Sequence, residues 1–194
     1  YAENSTYQRY SGYDTLNIGA SDVLSAADFP WRQIAIHVTA SGQEMRINSG
    51  KERIVNLVNQ EQPDFIVISG DWTYEPSDQL IKDLKILSGF NAPAYSVPGN
   101  HDEQIPGPPI QQVLKEGLEA ANIIPIEGKI IEMNEIRLIG VGDLWAGKAD
   151  MQAMPALPQD KPWLILAHNP DTVAQVPDLP YRPLMLSGHT HGGQ

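Results

Sequence analysis

The stretch P-D-F-I-V-I-S-G-D, residues 63–71, decides how the rest of the chain is read. A short continuous run of apolar, mostly β-branched residues, closed by Pro-Asp on one side and Gly-Asp on the other, predicts a strand buried on both faces. Similar runs occur in QIAIHVT (33–39), APAYSVPGNHD (92–102), PWLILAH (162–168) and PLMLSGH (183–189). Between the first three lie RINSGKERIVNLVNQ and SDQLIKDLKILSGF. There Ile47, Ile54, Leu57 and Val58, and then Leu80, Leu84 and Leu87, include the three- and four-residue spacing of one helical face. The result is a βαβαβ layout, an α/β domain whose crossovers pack helices onto a parallel sheet. Residues 123–143, IIPIEGKIIEMNEIRLIGVGD, hold three apolar runs separated by Glu-Gly and Asn-Glu, which predicts an antiparallel meander and hence a second sheet.

The outer limits come from composition. A chain of 194 residues with 41% hydrophobic content is long enough for one sizeable core, so residues 31–194 are read as one domain. Residues 1–30, polar and tyrosine-rich, are read as an irregular arm over it. No apolar run approaches the ~18 residues of a membrane-spanning helix. The first thirty residues lack the pattern of a signal peptide, although a leader removed before Tyr1 is compatible with the chain. Location is left open. With no cysteine, any metal must be held by nitrogen and oxygen. A net charge of −11 repels polyanions and argues against nucleic-acid binding, while a small phosphorylated substrate requires a cation in the site.

Beyond the carboxyl ends of the strands, where α/β sheets gather their ligands, stand Gly70-Asp71, Gly99-Asn100-His101-Asp102, His168-Asn169-Pro170 and Gly188-His189-Thr190-His191. Carboxylate, amide oxygen and imidazole suit Mn, Fe or Zn, and the glycines let the backbone come close to an ion. Each has an ordinary explanation alone. Gly-Asp and Gly-Asn form turns, His168 hydrogen-bonds at a strand end while Pro170 opens a helix, and two histidines two apart arise by chance. All four strand ends together outweigh those separate explanations. Two other chemistries fail on spacing: G-V-G-D-L-W has Trp145 where a dinucleotide fingerprint needs its third glycine, and no G-x-S-x-G elbow occurs.

The ordered set GD, GNHD, H and GHTH, from about Ile34 to Gln194, resembles the calcineurin-like metallophosphoesterase superfamily, which also includes purple acid phosphatases and bacterial UDP-diacylglucosamine hydrolases. The wording PDFIVISGD, VPGNHD, GVGDLWAGK, LAHNPD and SGHTHGGQ looks most like its small bacterial phosphodiesterase branch, often tied to membranes. The resemblance implies a four-layer α-β-β-α sandwich of the metallo-dependent phosphatase type, two divalent ions, and a small or lipid-linked phosphoester as substrate. On that pattern Asp71 bridges the ions, Asn100, His168 and His189 complete the second ion's shell, and His191 binds the first. His101 stabilises the transition state or protonates the leaving oxygen, with Asp102 orienting its ring.

Two departures qualify the likeness. The superfamily's first strand ends in Asp-x-His, whose positions fall near Ala40 and Gly42, and no carboxylate lies between Gln33 and Gln43. His37, about 10 Å away along an extended strand, Glu44 in the next loop, and Asp22 far upstream are weak substitutes. Loss of the motif is the simplest account. The chain also ends directly after GHTHGGQ, which leads us to expect missing C-terminal strands. The rival reading is a protein of the same fold that holds one ion or a phosphorylated ligand without turnover, because half of one metal shell is absent.

Overall fold

The strand at 63–71 forms as read. In the computed structural model, which describes residues 33–36, 48–72, 79–103, 111–180 and 182–190, Phe65–Ile68 is a strand with every residue buried. It belongs to a parallel sheet made of β1 (Gln33–Ile36), β2 (Phe65–Ile68), β3 (Ala94–Ser96) and β4 (Ile123–Pro125), in that order across the sheet. The connections carry helices α1 (Asn48–Gln60), α2 (Gln79–Leu84, continued by a 3-10 turn Lys85–Gly89) and α3 (Gln111–Ala120). The second sheet runs β5 (Ile130–Glu132), β6 (Arg137–Gly140), β7 (Trp163–Leu166) and β8 (Leu184–Leu186).

Strand alternation sorts the side chains into layers. Ile66 and Ile68 of β2 face a core with Val55 and Val58 of α1, Leu84, Leu87, and Leu114 and Leu118 of α3. Phe65 and Val67, on the opposite face, meet Val97, Ile126, Leu138, Leu164 and Leu166 between the two sheets. Ile139, Trp163 and Ile165 point away from that interface and pack on Met151 and Met154, with Leu157, Val176 and Leu179 beside them. The order is therefore helices, sheet, sheet, outer layer, as the α/β sandwich requires. Among the described residues that outer layer consists of 3-10 turns, Met154–Ala156 and Pro170–Gln175, in place of α-helices.

The meander reading of 123–143 needs correction. Among the described residues, only β5 and β6 pair antiparallel. β4 pairs parallel with β3 in the first sheet, and the chain then crosses to the second, where β6, β7 and β8 are parallel. Apolar runs of this length fit either partner, so the short Glu127-Gly128 turn could not reveal that it changes sheets. The structure also has α3, whose apolar side is Val113, Leu114 and Leu118. The arm at 1–30 and positions 37–47, with His37, Ala40, Gly42 and Glu44, lie outside the described residues, as do Asp22 and His191.

Leu166, 1% exposed between the sheets, is expected to cost about 2–5 kcal/mol on truncation to alanine, through lost transfer energy and the cavity left behind. Ile124→Ala, at a residue 44% exposed, is expected to stay within about 0.5 kcal/mol. Urea titration of both variants checks the contrast.

Candidate metal centre

β2 and β3 are neighbours in one sheet, and β7 and β8 in the other, so their carboxyl ends meet at one rim. From there the chain presents Asp71, Asn100, His168 and His189. His168 is fully buried, and its Nδ1 lies 2.7 Å from the Ser69 carbonyl oxygen. A carbonyl only accepts, so Nδ1 carries the proton and donates it. In the neutral ring this leaves Nε2 as a lone pair. Nε2 faces Asn100 Oδ1 at 3.1 Å, His189 Nδ1 at 3.1 Å and Asp71 Oδ2 at 3.2 Å.

Oxygen and nitrogen acceptors turned toward one another in a buried place repel unless a cation lies among them. Ligands each about 2.1 Å from one ion, at tetrahedral or square angles, sit roughly 3.0–3.4 Å apart, and these separations fall in that range. Ligating atoms of Asp71, His168 and His189 all lie within 4.8 Å of one another. An imidazole that gives its other N–H to a backbone carbonyl is the usual support of a metal-binding histidine. The donor set therefore fits a divalent ion.

Burial would lower the His168 pKa, but its hydrogen bond to Asp71 and that carboxylate's charge raise it above the ordinary value. Burial would likewise raise Asp71, yet His168 and the backbone N–H of His101 hold it below the usual carboxylate value.

The loops bearing these groups are interlocked. Asp71 and His189 both adopt left-handed backbone, φ 60° and 67°, which is strained for residues with a Cβ. A Cβ added at Gly99 would fall on the Asp71 carboxylate, and one added at Gly70 would strike the backbone at Pro98 and Gly99. These two glycines are required by close approach. The His101 N–H donates to Asp71 Oδ1 at 3.1 Å.

Asp102 has a prominent task toward the backbone. Its Oδ2 accepts from the N–H groups of Gly99 at 2.8 Å and Asp71 at 2.9 Å, and its Oδ1 from Trp72 at 2.8 Å. It clasps the two ligand-bearing loops together. Burial pushes its carboxyl up to about 7, against the pull of the Gly99 N–H.

Three residues around these loops escaped the sequence reading. Ser69 acts through its backbone, which composition does not mark. Asp143, fully buried, follows β6 as Asp71 follows β2, and that shared Gly-Asp ending was a usable signal. Lys148 pairs with Glu103 at 2.7 Å and Glu127 at 3.6 Å, tying the 140–148 segment to the loop carrying His101.

The fold and this rim define an α/β protein that gathers an Asp-His-His group able to hold a metal ion at the strand ends of two facing sheets. A family model, calcineurin-like phosphoesterase, matches residues 37–193, and the chain belongs to that family. It is 35% identical over 142 residues to phosphodiesterase YaeI of Escherichia coli, covering 70% of this chain and 51% of that protein. It is 30% identical over 149 residues to an uncharacterized metallophosphoesterase of Helicobacter pylori, covering 73% and 39%. The uncharacterized metallophosphoesterase YkuE of Bacillus subtilis is 28% identical over 158 residues, covering 73% and 51%. The chain thus spans about half the length, or less, of these relatives. The crystal structure of TT1561 of Thermus thermophilus superposes with a TM-score of 0.47 at 17% identity, over 70% of this chain and 66% of that one.

Because a proton competes for His168 Nε2, whose pKa is raised by the Asp71 carboxylate, manganese affinity is expected to increase as pH rises above the ordinary histidine value, and binding to release protons. Calorimetric titration in buffers of different ionisation enthalpy measures both, and a pH-independent affinity contradicts the assignment. Gly99→Ala, by displacing the Asp71 carboxylate, is expected to weaken the same binding about 10–100-fold.

Proposed function

We propose that this domain hydrolyses a phosphomonoester or phosphodiester with the help of divalent metal, and that Asp71, Asn100, His168 and His189 hold the ion. One observation carries the reading: the spent Nδ1 of His168 leaves its Nε2 facing three further ligand atoms within 3.2 Å. Membership of the family and the phosphodiesterase named among the relatives support the reaction class. When bound, the ion supplies Lewis acidity, acidifying water and covering charge that builds on the phosphoryl oxygens. It also supplies the local positive field that a chain of net charge −11 needs to attract a phosphate.

The protein's own groups do the rest. Asp71 and Asn100 orient through the Asp102 clasp, which fixes their loops before substrate arrives. His101, half-buried directly after Asn100 and tied by its amide to Asp71, is the candidate to protonate the leaving oxygen. By family likeness His191 and Asp71 would help hold a second divalent ion, Mn, Fe or Zn, which would add Lewis acidity beside the first. The substrate class we favour is a small or lipid-linked phosphoester, with no nucleic-acid partner. Work in the bacterial cytoplasm or at a membrane surface suits it; among the described residues, no helix is long and apolar enough to cross a membrane.

A second reading, binding of one ion or a phosphorylated ligand without turnover, is favoured by the absence of any carboxylate between Gln33 and Gln43. Manganese-dependent release of p-nitrophenol from bis-p-nitrophenyl phosphate separates the two. The enzyme reading expects turnover that falls about 10²–10⁴-fold in His101→Ala. Equal rates in both proteins remove His101 from the chemistry. Manganese binding without turnover establishes the second reading.

A further inference from the structure

We propose that Trp145 forms a wall of the substrate site and receives the apolar, preferably flat, group esterified to the phosphate. The inference rests on the phosphoester reading and assigns its substrate specificity. Trp145 is 58% exposed, whereas Trp72 and Trp163 are 0% and 2% exposed. An exposed apolar ring alone is commonplace on protein surfaces. This one is distinguished by its neighbour. Its ring stands edge-on to that of His189, centroids 4.6 Å apart and planes at 85°. The His189 ring stands in turn edge-on to His168, at 5.0 Å and 78°. The three rings form a series from the buried ligand atoms out to solvent, so a group extending from a phosphoryl at the metal-holding atoms has the indole within one ring's reach.

The turn that carries the indole is also held in place. Asp143, fully buried, accepts the Ala146 N–H on Oδ1 at 2.9 Å and the Lys148 N–H on its backbone oxygen at 3.0 Å. Gly147 closes the turn, its N–H 3.0 Å from the Leu144 oxygen and its φ at 71°. Lys148 then binds both oxygens of Glu103, at 2.7 and 2.9 Å, and Glu103 N–H bonds the Gly99 oxygen at 3.1 Å. The turn carrying Trp145 is thereby clamped to the loop carrying Asn100 and His101. A ring fixed in advance loses little freedom when it stacks on a ligand.

A purely structural Trp145 would only brace His189, and the test must separate the two roles. The probes are methylphosphonate and phenylphosphonate, which share the phosphoryl anion and differ in the apolar group, titrated calorimetrically into the manganese-loaded chain. The expected result is a preference of about 2–10-fold for phenylphosphonate. Trp145→Ala is expected to abolish that preference while manganese and methylphosphonate affinities hold, and Trp145→Phe to restore part of it. The inference is overturned if the wild type shows no preference, if the preference survives Trp145→Ala, or if both phosphonates and manganese weaken together. Failure of methylphosphonate to bind the manganese-loaded wild type strikes at the phosphoester reading itself, and the inference falls with it.

Discussion

The hydrogen bond from His168 Nδ1 to the carbonyl of Ser69 is the constraint on which the rest depends. It crosses from the end of β7 in one sheet to the end of β2 in the other, at 2.7 Å and away from solvent. By consuming the proton on Nδ1 it decides what Nε2 is. A neutral ring must then show a lone pair to a carboxylate, an amide oxygen and a second imidazole. A divalent ion placed among those atoms would satisfy all of them at once.

Holding that arrangement has costs, which the two sheets meet through packing elsewhere. Asp71 and His189 keep left-handed backbone, worth about 1–3 kcal/mol of strain each. Gly70 and Gly99 give up side chains so that two loops can touch. Against this stands the apolar layer from Phe65 and Val67 to Leu164 and Leu166, which fixes the sheets face to face. Asp102 converts that rigidity into ligand position, since its two oxygens bind three backbone amides from both loops. The site is a junction between two sheets packed face to face, with one buried ring at the joint.

Much of this was legible from particular residues. The runs ending at Asp71, Asn100, His168 and His189 announced strands by their apolar continuity and a site by what followed them. Leu84 and Leu87 fell on the buried face as their spacing required. The failures have physical causes. A short apolar run carries no information on its partner, so β4 was assigned to a meander although it joins the parallel sheet. The bonds from Asp102 to amides of a loop some thirty residues upstream were out of reach of local spacing, because only the fold brings those loops together. Trp145 registered only as the residue that spoiled a glycine fingerprint, because its contact with His189 is set by the fold and not by spacing.

Anomalous diffraction from crystals soaked in manganese tests the central claim most directly. The account predicts a strong peak about 2.0–2.3 Å from Asp71 Oδ2, Asn100 Oδ1, His168 Nε2 and His189 Nδ1, with His168 Nδ1 still on the Ser69 carbonyl. Saturating manganese that leaves no peak among those four atoms, or a His168 ring turned so that Nε2 faces elsewhere, would contradict it.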